Sequence, residues 1–507
     1  MAAEIERKYE VPADFTLDEG LTAAGATLGP PQVHELAAVY YDTADLRLAA
    51  DRVALRRRTG GSDAGWHVKR YRGGEDREEV QLPLGRGGTV PAAVGAEVRA
   101  VSRGGALRPM VRITTRRTEW PLVAADGTVL ALIADDEVSS DLIADPAAGQ
   151  RWRELEVELV EGDRDLLRAV GKKLRKAGAT RSADPAKIAR ALDGRWPAGD
   201  EPAAGPPGSA AAVVGDYVRA QRDAIVGHDP RVRRDEPDAV HKMRVATRRL
   251  RSTFKTYRPL WDRAATDHLR AELKWLAEVL GRVRDAEVMA ARLQRALDRL
   301  PPELVVGPVS TRLTGGLKAQ AAKDHRSLVT ALNGRRYAAL LDELDALLAA
   351  PPTEHGRRPA ATYVPHRVKR AVAGVNDLLD TAEKAEPDVR PLPGGLDRDS
   401  ALHEARKAAK QARYAAEAAA PVGGAGAAAL VAALEDVQEL LGDQHDSVVT
   451  RDLLRTVAMQ AHGAGENAFT YGRLHSAEAA SATGVEAGLP AARKTLSRKK
   501  AVGWLSP

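Results

Sequence analysis

Glu4, Glu6 and Lys8 occupy every second position near the start of the chain, so on a β-strand their side chains project from one side. A face carrying two acids and a lysine is not a core face. Glu154, Glu156 and Glu158 repeat the spacing, with Leu155, Val157 and Leu159 on the opposite side. Three aligned carboxylates repel one another unless divalent cations lie between them and a phosphate, and their hard oxygen donors suit Mg2+ or Mn2+. Cations follow the same rule: Arg56 and Arg58 alternate around Arg57, Lys69 follows Trp66-His67-Val68, and Arg112 and Arg116 alternate with Thr114. Strands that bring arginine and lysine opposite glutamates would enclose an interior suited to a highly charged substrate with its metal ions. The same alternation also suits the solvated outer face of an antiparallel sheet.

The elements that must position these groups are legible as short alternating runs: Glu4 to Tyr9, Ala54 to Arg58, His67 to Tyr71, Val111 to Arg116, Val129 to Asp135 and Trp152 to Leu159. Leu166, Leu167, Val170 and Leu174 then take a helical spacing between Arg164 and Ala177. The stretch WPAGDEPAAGPPGSAAA, residues 196–212, is too rich in Pro, Gly and Ala to bury a core and reads as a linker. Beyond it the chain becomes rich in Ala, Leu and Arg with 3.6-residue periodicity, which predicts packed helices.

The helical part carries its own chemistry. From His241 to Arg258 there are seven Lys or Arg and no acid. On a helix, His241, Arg244, Arg248, Arg251 and Lys255 form one stripe, and His403, Arg406, Lys410 and Arg413 trace the same stripe later, with Lys407 beside it. Like charges one turn apart cost roughly 0.2–0.5 kcal/mol per pair, so an anion lying along the stripe would offset a real penalty. A merely solvated helix face is the alternative. The two runs belong to a repeat. Leu280-Gly-Arg-Val-Arg-Asp285 matches Leu441-Gly-Asp-Gln-His-Asp446, 44 residues from His to Asp in the first copy and 43 in the second, so two related helical halves are expected. Both Leu-Gly pairs read as turns, with Asp285 and Asp446 orienting the arginines rather than binding metal. His228 reads as a peripheral anion contact or a helix-end residue.

Composition bounds the rest. A chain of 507 residues is expected to form two or three domains. With no cysteine, thiolate metal sites, disulfides and cysteine nucleophiles are excluded, which fits a reducing cytoplasm. The N-terminus lacks the apolar stretch of a secretory signal, and no apolar run approaches the roughly 18 residues of a membrane span. The net charge of +6 is small against 76 Lys and Arg and 70 Asp and Glu, so the placement of charge matters more than its sum.

Glu4-Ile-Glu-Arg-Lys8 resembles the Glu-x-Glu-x-Lys signature of the CYTH domain, the triphosphate tunnel metalloenzyme family. Tyr40-Tyr-Asp-Thr43, the arginine strands, Asp136, the Glu154 to Glu158 strand and Lys187 follow in the family's order. The resemblance covers residues 1–195 and implies an eight-stranded antiparallel β tunnel with flanking helices. It also implies metal-dependent hydrolysis of tripolyphosphate or another triphosphate, the activity of an inorganic triphosphatase. By the same resemblance, Glu4, Glu6, Asp136, Glu154, Glu156 and Glu158 would hold Mg2+ or Mn2+, with Glu4, Glu6 and Lys8 as the catalytic set. Lys8, Arg56, Arg58, Lys69, Arg112, Arg116 and Lys187 would clamp phosphates. Leu132 departs from the pattern, since many relatives carry an acid four positions before the aspartate.

Residues 213–490 resemble the CHAD domain, an all-α pair of pseudo-symmetric four-helix bundles, through the His241 to Arg251 run and Leu273 to Val288. This resemblance implies binding of inorganic polyphosphate at His241, Arg244, Arg248, Arg251, Lys255, His403, Arg406, Lys407, Lys410 and Arg413. Residues 491–507 read as a disordered basic tail. The expectation is a multidomain α+β protein of the cytoplasm, associated with polyphosphate granules. A polyphosphate-binding protein with a degenerate tunnel, and a nucleotide cyclase or thiamine triphosphatase, remain as alternatives. Nucleic acid is disfavoured, because the stripe lacks the aromatic platform that single strands stack on.

Overall fold

The structure is a computed structural model that describes residues 2–506 except 13, 19–20, 62, 72–75, 86, 185, 193–203 and 385–397; the side chains of 2–4, 76–77, 146, 399, 443–445 and 481–487 are also outside the description. It divides into two compact units, Met1–Glu201 and Pro202–Pro507. The boundary falls within the predicted 196–212 linker, of which residues 196–203 lie outside the described residues. Ala204 is buried, and Ser209 accepts a hydrogen bond from the Ala212 amide to cap the first helix of the second unit.

The first unit is built on strands β1 (Ala2–Glu10), β2 (Thr22–Ala23), β3 (Ala26–Leu28), β4 (Gln32–Asp42), β5 (Val53–Thr59), β6 (Gly65–Tyr71), β7 (Asp76–Leu82), β8 (Arg108–Val123), β9 (Val129–Leu142), β10 (Asp145–Leu159) and β11 (Thr180–Arg181). Hydrogen-bonded neighbours run β8-β4-β5-β6-β7-β1-β10-β9, and β9 pairs in turn with β8, all antiparallel. Each of these eight strands therefore has a neighbour on both edges. All six predicted strands are present, whereas β4 and β7 were not read from sequence. Short helices α1 (Arg47–Ala50), α2 (Ala92–Glu97) and α3 (Arg99–Ser102) lie between strands, and α4 (Arg164–Lys176) and α5 (Lys187–Ala191) follow them.

Two apolar layers fix which face of each strand looks inward. On the outside, α4 begins where Asp163 accepts from the Leu166 amide. It lays Leu166, Leu167, Val170 and Leu174 over Tyr9, Ile133, Leu155 and Val157. Burial of such side chains contributes roughly 1.5–3 kcal/mol each, so β10 must turn Leu155 and Val157 outward beneath α4 and Glu154, Glu156 and Glu158 inward. The second cluster joins Ile188, Ala189, Ala191 and Leu192, from α5 and its end, to Ala38, Tyr40, Val111, Ile113, Val138 and Trp152. Asp42 is structural: its carboxylate accepts from the amides of Thr43, Leu48 and Ala49, holding the start of α1.

The second unit contains α6 (Ala210–Arg233), α7 (Ala239–Thr256), α8 (Arg263–Asp298), α9 (Gly316–Asn333), α10 (Arg335–Ala349), α11 (Glu354–Arg357), α12 (Ala360–Lys384), α13 (Arg398–Ala418), α14 (Ala420–Gly463), α15 (Phe469–Leu496) and α16 (Lys499–Val502). Consecutive helices pack within α6–α9 and again within α12–α15. The halves meet where α7 packs on α13, and again where Leu293 and Leu297 join Leu454, Tyr471 and Leu474.

Three expectations need correction here. The Leu-Gly pairs are not turns: Gly281 and Gly442 lie inside α8 and α14. A Cβ on Gly442 would come within a tight 3.3 Å of Arg406 Nη2, and one on Gly281 would lie at contact distance, 3.5 Å, from Arg244 Nη2, so each glycine sits beneath an arginine laid across the helix. The 491–507 segment is not a loose tail, since it completes α15, forms α16 and packs Trp504 on Gly423 and Gly426; its aromatic and leucine outweigh its lysines. Finally, α14 is long and apolar enough to cross a membrane by length and composition alone. The run is made largely of alanine and glycine rather than bulky residues; Leu430, Leu434 and Val437 are buried, while 28% of the apolar stretch as a whole is.

Candidate active site and polyanion surface

All eight paired strands line one cavity of about 310 Å³. Six cations face it (Lys8, Arg56, Arg58, Lys69, Arg117 and Lys187), together with six carboxylates (Glu6, Asp63, Glu79, Glu119, Glu156 and Glu158). Among the described residues the lining thus carries both signs in equal number, rather than forming a purely cationic funnel.

Asp136, Glu154 and Glu156 stand together, with one oxygen from each lying within 4.8 Å of the others. Asp136 is fully buried. Arg117 grips it in a fork, Nε to Oδ1 at 2.8 Å and Nη2 to Oδ2 at 2.7 Å, and also bonds Glu156. Lys187 Nζ is 2.8 Å from Asp136, 2.8 Å from Glu154 and 2.6 Å from Glu156. Lys8 bonds Glu156 and lies 3.5 Å from Glu154 and 3.8 Å from Glu6. The Trp152 indole N–H donates to Glu154 at 2.7 Å. Burial opposes ionisation of Glu156, yet Lys187, Lys8 and Arg117 outweigh it and hold this carboxyl well below its ordinary range. Asp136 is lowered in the same way, against its burial, by Lys187 and Arg117. Burial would also depress Lys8 and Lys187, but the surrounding carboxylates hold both ammonium groups above their usual value. Three hard-oxygen donors converging on one point fit Mg2+ or Mn2+.

Away from the triad, Arg56 Nη1 lies 3.5 Å from Tyr40 Oη, and its Nε is buried without a hydrogen-bond partner. Arg58 pairs with Asp63 at 2.6 Å and Lys69 with Glu79 at 3.1 Å. His67 joins these pairs, with Nδ1 2.6 Å from Glu79 Oε1 and Nε2 2.9 Å from the Asp63 carbonyl oxygen. Glu158 faces the cavity, and burial, with Glu6 and Glu156 adding to it, raises its carboxyl despite Lys69.

The structure therefore gathers Glu6, Lys8, Arg56, Arg58, Lys69, Asp136, Glu154, Glu156, Glu158 and Lys187. Glu4 is carried by β1 opposite Arg77, but its side chain lies outside the described residues. Arg112 and Arg116 must be withdrawn from the phosphate clamp. Both are exposed on the outer face, where Arg116 is 3.6 Å from Glu35 and from Glu137. The inward positions of β8 are Ile113, Thr115, Arg117 and Glu119. The signal for Arg117 was its shared alternation with Val111 and Ile113, whose bulk belongs under the α5 layer. Leu132 also lines the cavity, as an apolar patch on the wall.

In the helical unit, α7 and α13 bring their stripes together. Arg244 reaches Asp285 at 2.9 Å, and Arg406 lies 3.7 Å from Asp446. The Nε atoms of Arg244, Arg284 and Arg406 are buried without hydrogen-bond partners. Lys410 is pushed down to about 7, first by burial and then by Arg248 and Arg406, against the pull of Asp446. Arg248 is lowered by burial, with Arg244, Arg406 and Arg413 beside it. His241 is lowered by burial and by Arg284, a residue that the stripe did not include. Arg251 and Lys255 are exposed further along α7, Lys407 pairs with Glu404 at 2.7 Å, and Arg413 is held by Glu435 at 2.6 Å. His403 is half-buried on α13, and His228 falls inside α6.

The family model for the CYTH domain matches residues 2–192, and that for the CHAD domain matches residues 216–455. The uncharacterized protein Rv2226 of Mycobacterium tuberculosis (strain H37Rv) is 37% identical over 515 residues, covering 98% of this chain and 96% of that protein. The chain belongs to the CYTH–CHAD family. CYTH domains are triphosphate-tunnel metalloenzymes, with triphosphatases and cyclases among them, and CHAD domains are associated with polyphosphate-related functions. Among solved structures, PptA from Streptomyces chartreusis is 22% identical with a TM-score of 0.46, covering 56% of this chain and 98% of its own. The CHAD domain of Ricinus communis is 23% identical with a TM-score of 0.39, covering 59% and 97%. The Hippeastrum adenylyl cyclase-like protein HpAC1, for which a dominant triphosphatase activity is described, is 16% identical with a TM-score of 0.25, covering 38% and 96%.

Proposed function

We propose that this CYTH–CHAD protein hydrolyses inorganic tripolyphosphate in its strand-lined cavity, with Mg2+ or Mn2+ as cofactor, and holds inorganic polyphosphate on the paired α7 and α13 stripes. The observation that carries this reading is one cavity faced both by Glu156, which stands with Asp136 and Glu154 in the acid triad, and by the Arg56, Arg58 and Lys69 cations. Arg56, Arg58 and Lys69 bind and orient phosphate oxygens, and Lys8 and Arg117 hold the triad in place. A divalent ion on the triad would supply the positive charge that offsets charge developing on the phosphoryl oxygens. Glu158 accepts the proton of the attacking water: it faces the cavity, and its raised carboxyl is a stronger base than an ordinary glutamate. On the helical surface, orphaned arginine N–H groups and Lys410, pushed down by burial and then by neighbouring cations, are relieved by a polyanion. We place the protein in the cytoplasm, on its lack of cysteine.

One observation favours a second reading, a polyphosphate-binding protein with a silent tunnel. Leu132 presents an apolar wall where the sequence resemblance leads one to expect an acid, and three internal cations already pair with the triad. Product analysis separates the readings. Tripolyphosphate, ATP and thiamine triphosphate are incubated with the full chain in Mg2+, Mn2+ or chelator. Orthophosphate released from tripolyphosphate only with metal supports hydrolysis, release from none favours the silent tunnel, and a cyclic product from ATP replaces both.

A further inference from the structure

The Lys187 ammonium stands at the centre of the acid triad. It donates to Glu156 at 2.6 Å and forms ion pairs with Asp136 and Glu154, each at 2.8 Å. A Mg2+-sized ion held by these residues requires oxygens at about 2.0–2.1 Å from one point, within the space that Nζ fills. Lys8 and Arg117 differ in this respect. Lys8 makes its short contact with Glu156 alone, and Arg117 grips Asp136 and Glu156 while lying outside the reach of Glu154. Among the described residues, Lys187 is the cation that touches all three acids.

Its tether limits how it can leave. Lys187 opens α5, and the residues that follow, Ile188, Ala189, Ala191 and Leu192, are embedded in the apolar layer with Val138 and Trp152. The backbone is therefore anchored, while the four-carbon stem can rotate. We propose that Lys187 is a resident counter-ion of the triad, one that a divalent cation must displace by rotation of the side chain. The displaced ammonium stays on a cavity wall that already carries Arg56, Arg58 and Lys69. This inference rests on the reading of the triad as the metal site.

The test is Mn2+ binding to the full chain without any phosphate, read by electron paramagnetic resonance of the unbound ion. Removing the competitor in Lys187→Met leaves three buried carboxylates to Lys8 and Arg117 alone, so Mn2+ affinity rises by roughly tenfold or more over wild type. Lys187→Arg keeps a cation and binds no tighter than wild type. It also guards against loss of fold, as does thermal melting in chelator, where Lys187→Met melts lower and recovers with Mn2+. Mn2+ binding by Lys187→Met that is equal to or weaker than wild type, where Glu156→Gln abolishes binding, overturns the counter-ion role alone. Binding that Glu156→Gln leaves unchanged overturns the metal site and this inference together.

Discussion

Arg117→Ala probes the interior of the first unit most sharply, because it removes the fork on a fully buried carboxylate. Arg117 contributes two bonds to Asp136, at 2.8 and 2.7 Å, and a third contact to Glu156. Burial and these acids together leave the guanidinium well above its ordinary value, the acids prevailing. Without it, Asp136 keeps Lys187 but loses its bidentate partner. Breaking a buried pair on one side costs about 3–5 kcal/mol. In a domain of about 200 residues each kcal/mol moves the midpoint by about 2–4 °C. A fall of roughly 6 °C or more is therefore expected in chelator at neutral pH. Arg116→Ala, one residue away, removes only two exposed pairs at 3.6 Å, each worth about 0–1 kcal/mol. The assay is calorimetry of the full chain, with hydrogen exchange in β8–β10 assigning the transition. Equal shifts for the two variants, or a larger one for Arg116→Ala, would refute the inward placement of Arg117.

Glu158→Gln should lower kcat for tripolyphosphate by roughly 10²–10⁴ while leaving Mn2+ binding intact. The wild-type rate should fall as pH drops through the raised Glu158 value, since the base must be ionised, and this acid limb should vanish in the variant. Polyphosphate binding should take up a proton at Lys410 above about pH 7, where the unliganded amine is largely neutral and the anion favours its charged form. Calorimetry in buffers of different ionisation enthalpy reads that uptake, which Lys410→Arg should remove. Arg248→Glu combined with Arg406→Glu should weaken polyphosphate binding by more than roughly tenfold without slowing tripolyphosphate hydrolysis; loss of both activities in folded protein would contradict the division of labour.

Much of the cavity was legible because period-two alternation names a face once the opposite face is known. Leu155 and Val157 needed a core, so Glu154, Glu156 and Glu158 had to point the other way. The rule failed on β8 because both of its faces carry arginine, at positions 112 and 116 on one and 117 on the other. Local spacing cannot say which face looks inward when the deciding apolar layer comes from α5, some 70 residues later. His67 had the same alternation as Lys69 and was passed over because one histidine in an apolar run carries no pattern of its own. The helical repeat is readable through His241 and His403, but Leu-Gly pairs suggest turns where Gly281 and Gly442 in fact lie inside helices. Each lies against an arginine from another helix, and tertiary contacts of that kind leave no local signal. Trp504 was lost among lysines for a similar reason, since its partners Gly423 and Gly426 lie far away in sequence.

A crystal of the full chain soaked with Mn2+ and a non-hydrolysable imidotriphosphate tests most directly whether one cavity unites metal and triphosphate. Anomalous density for Mn2+ among Asp136, Glu154 and Glu156, with phosphate groups against Arg56, Arg58 and Lys69, is the expected result. Phosphates found only along α7 and α13, with the triad still bound to Lys187, would contradict it.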